Sequence, residues 1–301
     1  MKKFLYYSKL VGSDFMLCQG PGGNTSYKQG KFIFIKKSGF HLSKSNENSF
    51  LKLEYSKILD FYLDNQNYSE KYDKNLSIET PLHVLSKSKY VFHFHSISSI
   101  ICSLLYKKSE LKTLLFKEKI LPIDYIRPGL KLAQEISLLN KHRIYTNFFL
   151  YNHGMVVEGE DLKEIYNRIN MTENFFRKLI DYEQLEKLTQ KISKLYQKDN
   201  KLRNPDPSLN YELFNKKIFF PDHAVFFPHY INKIESSKVY YDEKFIHFYK
   251  KLNKTELIYF KTLLIIFCYI KNQKIINYID INKSKNLINS EDELLRISLN
   301  K

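Results

Sequence analysis

The stretch SIETPLHVLSKSKYVFHFHS, Ser77 to Ser96, changes structural period in its middle. Thr80 is a favoured N-cap residue type and Pro81 suits the first helical position, where its missing N–H would have no helical partner anyway, so a helix starts just after Glu79. That helix is short, because Tyr90-Val91-Phe92-His93-Phe94-His95 follows with the β-branched and aromatic composition of a strand. Side chains on a strand alternate between faces, so His93 and His95 point the same way and two imidazoles can converge on one metal ion. The other reading is a pair of histidines on a polar strand face. Val91, Phe92 and Phe94 mark a buried strand end, and burying two imidazoles without a partner is unfavourable, which favours the ligand reading.

Working outward, apolar residues at helical spacing from Leu5 to Leu17 predict an opening helix that stops at Gly20-Pro21-Gly22-Gly23. Asn24 to Lys28 and Lys31 to Lys36 read as two strands joined by a tight turn at Gln29-Gly30, with Ser38-Gly39 ending the second. Helices are predicted over Ser56 to Leu63, residues 97 to 106 and 109 to 118, and Leu130 to Leu139. Asn147 to Asn152 reads as a strand running into His153-Gly154, with Met155-Val156-Val157 continuing extended. A long helix with at least one break runs from Asp161 past Leu195. Lys198 to Asn210, containing Asn204-Pro205-Asp206-Pro207-Ser208, reads as a linker, Lys217 to Pro228 as strand, turn and strand, and Asp242 to Lys301 as mostly helical. Helices and strands interleave without an internal repeat, which predicts an α/β layered domain.

The chain has 301 residues, enough for a sizeable core, and its 43% hydrophobic and 27% charged residues exclude disorder and a disulfide scaffold. A formal net charge of +16 raises a polyanionic partner, nucleic acid or an anionic membrane. The arginines, however, are only Arg127, Arg143, Arg168, Arg177, Arg203 and Arg296, so the excess is dispersed lysine, which lacks the planar fork that reads guanine or clamps phosphate. It reads as solvated surface, and neither a nucleic-acid nor a membrane partner is expected. Cys18, Cys102 and Cys268 form no CxxC pair, consistent with a reducing cytoplasm. The N-terminal residues carry no apolar stretch of signal-peptide length. Leu257 to Ile270 is interrupted by Lys261, falls short of the roughly 18–20 apolar residues of a membrane span, and reads as a buried helix.

Four further features carry candidate chemistry. His153, followed directly by Gly154, is either a turn histidine or the third protein ligand that a catalytic tetrahedral site requires. Glu79 is either surface charge beside a helix N-terminus or a carboxylate near the metal, as base or weak ligand. His83, one helical turn on, faces the same side and reads as a supporting or packing residue. The loop Gly20 to Asn24, with Ser26 and Ser38-Gly39, is either a plain glycine turn or an anion cradle of backbone N–H groups, and it has neither P-loop nor dinucleotide spacing.

The ordered blocks GPGGNTSYKQGKFIFIKKSG, SIETPLHVLSKSKYVFHFHS, YIRPGLKLAQEI, FFLYNHGMVVEG and FPDHAVFF, spread over roughly residues 10 to 230, resemble the class II aldolase/adducin family. The second block looks most like the aldolase half of the bifunctional rhamnulose-phosphate aldolase/alcohol dehydrogenase proteins. The resemblance implies an α/β/α sandwich around a mostly antiparallel sheet over residues 1–232, followed by a helical extension over 233–301. It implies zinc, or another divalent metal, held by His93, His95 and His153, with Glu79 as catalytic acid/base. Asn24, Ser38, Gly39 and Ser77 lie where family members bind the phosphate or distal part of the substrate, and Ser77-Ile78 stands where the fuculose-phosphate branch has two serines. His223 is a second-tier candidate from its block. The implied activity is cleavage or formation of a carbon–carbon bond in a ketose, as a sugar phosphate, through a metal-stabilised enediolate. A 4-epimerase or dehydratase on the same site, and a non-catalytic adducin-like scaffold, are the alternatives; retention of all three histidines and the glutamate favours an enzyme. A cytoplasmic homo-oligomer, in the family usually a tetramer, acting on a small anionic sugar completes the expectation, with lysines such as Lys36 and Lys37 steering that anion.

Overall fold

The strand Tyr90–Phe94 (β4) occupies the middle of a seven-stranded sheet. Its neighbours on one side are β1 (Asn24–Gln29), β2 (Phe32–Lys36) and β3 (Phe50–Glu54), and on the other β7 (Gly154–Gly159), β6 (Asn147–Leu150) and β5 (Ile120–Ile123), giving the order β3-β2-β1-β4-β7-β6-β5. This is a computed structural model, which describes residues 1–64, 72–208, 217–227, 239–241, 244–248, 251–274 and 277–279. All pairings in this sheet are antiparallel except the parallel pair β5–β6.

Both faces of the sheet are covered, and the alternation along β4 decides which residue meets which layer. Phe92 and Phe94, with Tyr27, Phe149, Met155 and Val157, pack against α1 (Lys2–Ser13), α4 (Ile97–Leu105), α5 (Lys108–Lys117) and α7 (Leu162–Lys178). Val91, with Phe148, Leu150 and Val156, packs instead on α3 (Thr80–Leu85) and α6 (Leu130–Leu139). Ile33 and Ile35 extend this second layer to Ile58 and Tyr62 of α2 (Tyr55–Leu63). The architecture is the expected α/β/α sandwich with a mostly antiparallel central sheet.

Four local expectations are corrected. The strand through Asn147 to Val157 is two strands: β6 ends at Leu150, Tyr151 to His153 reverse the chain, and β7 returns with Leu150 opposite Gly154. Asn152 (φ +57°) and Gly154 (φ +148°) supply the backbone angles, which the run of aromatic and β-branched residues conceals. The segment read as linker holds a hairpin, β8 (Gln197–Lys198) and β9 (Lys201–Arg203), turning at Asp199 with φ +53°. An Asp-Asn pair suits such a two-residue turn. Lys217 to Pro228, read as strand, turn and strand, contains the helix α9 (Pro221–Phe226), with proline at its N-terminal end; Pro228 lies outside the described residues. All six α9 residues are buried, so the segment shows no amphipathic period and its aromatics mislead towards a strand. The segment 233–301, expected as a helical extension, contributes β10 (Val239–Tyr241) and β11 (Phe245–Phe248) to a second sheet, ordered β10-β11-β9-β8.

Among the described residues, the helical part of the tail is α10 (Lys254–Ile270), capped by reciprocal bonds between Asn253 and Glu256. Every residue from Thr262 to Ile270 is buried. The helix shares one apolar core with α9, with α4 and with Leu185 and Ile192 of α8 (Tyr182–Ser193). Among the described residues, no helix is long and apolar enough to cross a membrane. The three cysteines are buried and unbridged. The parts of the helical expectation that fall on 242–243, 249–250, 275–276 and 280–301 lie outside the described residues.

The β6–β7 turn predicts a sharp local sensitivity. A Cβ on Gly154 would lie 2.3 Å from the Phe94 carbonyl oxygen and 3.0 Å from His95 Cα, at a φ that L-residues rarely adopt. Gly154→Ala is therefore expected to cost at least about 2 kcal/mol in denaturant unfolding; a loss below about 0.5 kcal/mol would show that the turn tolerates a side chain.

Candidate metal centre

The antiparallel register builds the site from three pieces of backbone. β4 supplies His93 and, one residue past its end, His95; the β6–β7 turn supplies His153; and Glu79 sits at the N-cap of α3, one position earlier than the Thr80 cap expected from sequence. One donor atom from each of Glu79, His93, His95 and His153 lies within 4.8 Å of all the others, and all four residues are buried. His93 Nε2 and His95 Nε2 are 3.1 Å apart. Glu79 Oε1 lies 2.9 Å from His93 Nε2, 3.0 Å from His153 Nε2 and 3.9 Å from His95 Nε2. The rings meet edge to face or tilted, with centroids 4.8 to 5.2 Å apart, so their nitrogens rather than their faces point at the shared space.

The outward nitrogens are held as well. His93 Nδ1 donates to the Met155 carbonyl across the β4–β7 ladder at 2.9 Å, and His95 Nδ1 donates to Asp222 Oδ2 on α9 at 2.8 Å. A ring whose Nδ1–H is anchored on an oxygen presents its Nε2 as the ligating atom. His153 Nδ1 has no hydrogen-bond partner among the described residues. Three imidazoles and a carboxylate, converging in a buried place with two rings so anchored, form a donor set that fits a divalent ion of the zinc type.

Burial and hydrogen bonding set the charge states. Burial alone would raise the Glu79 carboxyl, but His93, His153 and His95 around it hold it well below the usual carboxylate range. Burial also works against a charged His95, yet Asp222 and Glu79 outweigh it and push the imidazole up to about 9. His153 is pushed down to about 4, chiefly by burial.

The other predicted residues surround this group unequally. Asn24 is buried directly opposite His93 in the β1–β4 register. Ser77 accepts a hydrogen bond from the Glu79 amide at 3.2 Å, and the Ser38 amide donates to the Asn75 carbonyl, so the turns bearing Ser38, Gly39 and Ser77 adjoin. Lys36, expected to steer the anion by its field, is buried, and its ammonium donates to the carbonyls of Pro21 and Phe40, fastening the glycine loop to the 37–40 turn. His83 shares a 2.8 Å hydrogen bond with Ser26 Oγ, and burial pushes it down to about 3, so it is a neutral supporting residue. His223 lies outside the four-residue group, its Nδ1 accepting from the Phe219 amide at 3.3 Å, and burial holds it at about 3. Asp222 is the polar residue that the sequence reading passed over. The signal was a pair of polar residues, Asp222-His223, inside the otherwise apolar run Ile218 to Phe227.

Because the folded value for His223 lies below its ordinary value of about 6.5, its contribution to stability is present above that pH and is lost as pH falls from about 6.5 towards 3. Between pH 7.5 and 5, chemical unfolding of the wild type is expected to lose about 2 kcal/mol more than that of His223→Gln. Parallel stability profiles for the two proteins would contradict a buried neutral imidazole.

Comparison with known proteins places the chain in a family. The profile of the family described as class II aldolase and adducin N-terminal domain matches residues 2–180. The L-fuculose phosphate aldolase of Methanocaldococcus jannaschii is 30% identical over 163 residues, 51% of this chain and 81% of that protein. An uncharacterized oxidoreductase of Bacillus subtilis, YuxG, is 28% identical over 192 residues, covering 56% of this chain; the chain spans only 28% of the length of that relative. Among solved structures, the N-terminal class II aldolase domain of a conserved protein from Thermoplasma acidophilum superposes with a TM-score of 0.53 at 25% identity, over 58% of this chain and 91% of that one. Matched over more than half its length, and carrying the buried Glu/His group within the match, this chain belongs to the class II aldolase and adducin N-terminal domain family.

Proposed function

We propose that the chain is a zinc-dependent aldehyde-lyase that cleaves or forms a carbon–carbon bond in a ketose phosphate. The observation that carries this reading is the buried convergence of Glu79, His93, His95 and His153 in a member of an aldolase family. A divalent ion held by the three Nε2 atoms would supply Lewis-acid stabilisation of negative charge on substrate oxygens as the bond breaks. Glu79, ionised at neutral pH, takes a proton from a substrate hydroxyl in the cleavage direction and returns it in the reverse direction. Its burial excludes water from that proton and strengthens its electrostatic interactions.

The L-fuculose phosphate aldolase relative supports a phosphorylated ketose as substrate. Asn24, Ser38, Gly39 and Ser77 receive its anionic end, with the buried Lys36 ammonium beneath the same turn adding favourable field. Ile78, buried where the fuculose-phosphate branch carries a serine, removes one hydroxyl from that cradle and weakens its hold on a phosphate, which is why the test below includes unphosphorylated sugars. A cytoplasmic homo-oligomer is the form in which we expect it to work.

Incubation of the purified protein with a panel of ketose phosphates and their unphosphorylated counterparts, read by mass spectrometry, is expected to release aldehyde. Glu79→Gln should slow that release about 10²–10⁴-fold. An epimer formed without free aldehyde would replace the lyase by an epimerase, and no turnover of any ketose together with no bound metal would leave a non-catalytic scaffold.

A further inference from the structure

The family profile ends at residue 180, yet the carboxylate behind one of the metal-site imidazoles comes from residue 222. We propose that Asp222 is a positioning residue that holds His95 with its Nε2 directed into the metal centre, making the segment beyond the family match a working part of the site. The proposal rests on the metal-centre reading of Glu79, His93, His95 and His153.

Three observations carry it. Asp222 is 1% exposed, and its Oδ2 lies 2.8 Å from His95 Nδ1, a distance at which an ionised carboxylate, which can only accept, fixes the proton on that nitrogen. The Nδ1 edge of the ring is also closed by backbone: a Cβ on Gly22 would lie 3.2 Å from His95 Nδ1 and 2.9 Å from the Gln19 carbonyl oxygen. The ring therefore has one orientation, with a carboxylate and a side-chain-free loop behind it and His93 Nε2 and Glu79 Oε1 in front. Finally, the element bearing Asp222 is itself anchored. Phe226 on α9 stacks on Tyr259 of α10 at 4.4 Å between centroids, and the Tyr259 ring lies against Gly20 with its hydroxyl beside Gly22. One aromatic contact thus connects the tail helix, the helix carrying Asp222 and the glycine loop beside His95.

The comparison with His93 sharpens the role. Its Nδ1 is held by the Met155 carbonyl, which the β4–β7 ladder positions whatever the side chain there. His95 lies past the end of that ladder, where the strand no longer orients the ring, and a side-chain acceptor takes over. Partners of this kind orient metal-ligating histidines, and their loss typically costs about 10–100-fold in metal affinity.

The test uses the full chain and zinc alone. Zinc affinity is measured by chelator competition for the wild type, Asp222→Asn and Asp222→Ala, alongside ¹⁵N spectra of the histidine rings in the zinc-loaded proteins. The expected result is one tight zinc per wild-type chain, with affinity falling about 10-fold in the Asn variant and towards 100-fold in the Ala variant. The His95 ring should be protonated at Nδ1 and metallated at Nε2 in the wild type, and that signature should be lost or mixed in the Asn variant. The Asn variant preserves side-chain shape and keeps the test valid if the Ala variant does not fold. Wild-type affinity in the Asn variant, or weakened binding with an unchanged His95 signature, would overturn the positioning role. Absence of zinc from the wild type would instead overturn the metal centre, and this proposal with it.

Discussion

Glu79 Oε1 sits 2.9 Å from His93 Nε2 and 3.0 Å from His153 Nε2, with His95 Nε2 3.1 Å from that of His93, and the rest of the domain is arranged to make this crowding tolerable. Four polar groups in a dry interior are costly unless each is paired. The fold meets that cost with short-range partners: the carboxylate faces three imidazoles, and two of those imidazoles rest on oxygen acceptors behind them. The layers of apolar side chains on both sheet faces keep the group away from water.

Each element near the group has a second task that follows from this constraint. β4 is central because His93 needs β1 on one side, bringing Asn24, and β7 on the other, bringing the Met155 carbonyl. The β6–β7 turn is tight because His153 must return to the end of β4, and only glycine at 154 lets the backbone pass the Phe94 carbonyl. α3 is short and is capped by Glu79, so its N-terminal end faces the strand end where the histidines emerge. The C-terminal segment contributes through packing, by placing α9 and its Asp222 behind His95.

Much of this was legible in the sequence where chemistry and periodicity coincide. HxH on a strand of apolar composition, a Thr-Pro helix start after Glu79 and a His-Gly pair are local signals, and together they mark the four residues of the group. The sandwich followed from the order of helices and strands together with the family resemblance. What escaped was set by tertiary context. Asp222 gains its place from contacts 127 residues away in sequence, and no spacing rule links it to His95. α9 was hidden because a helix buried on all sides loses its period. The burial of the Lys36 ammonium rests on the Pro21 and Phe40 carbonyls that the fold brings to it, which no local pattern marks. Asp199 and Asn200 form a turn that was absorbed into a longer polar stretch.

The central claim is that His93, His95 and His153 share one divalent ion beside Glu79. Diffraction from crystals of the zinc-loaded protein, collected on both sides of the zinc absorption edge, tests it most directly. The account predicts a single anomalous peak about 2.0–2.1 Å from Nε2 of each of the three histidines. A peak elsewhere with these rings still hydrogen-bonded to Glu79, or no peak at full zinc occupancy of the solution, would contradict it.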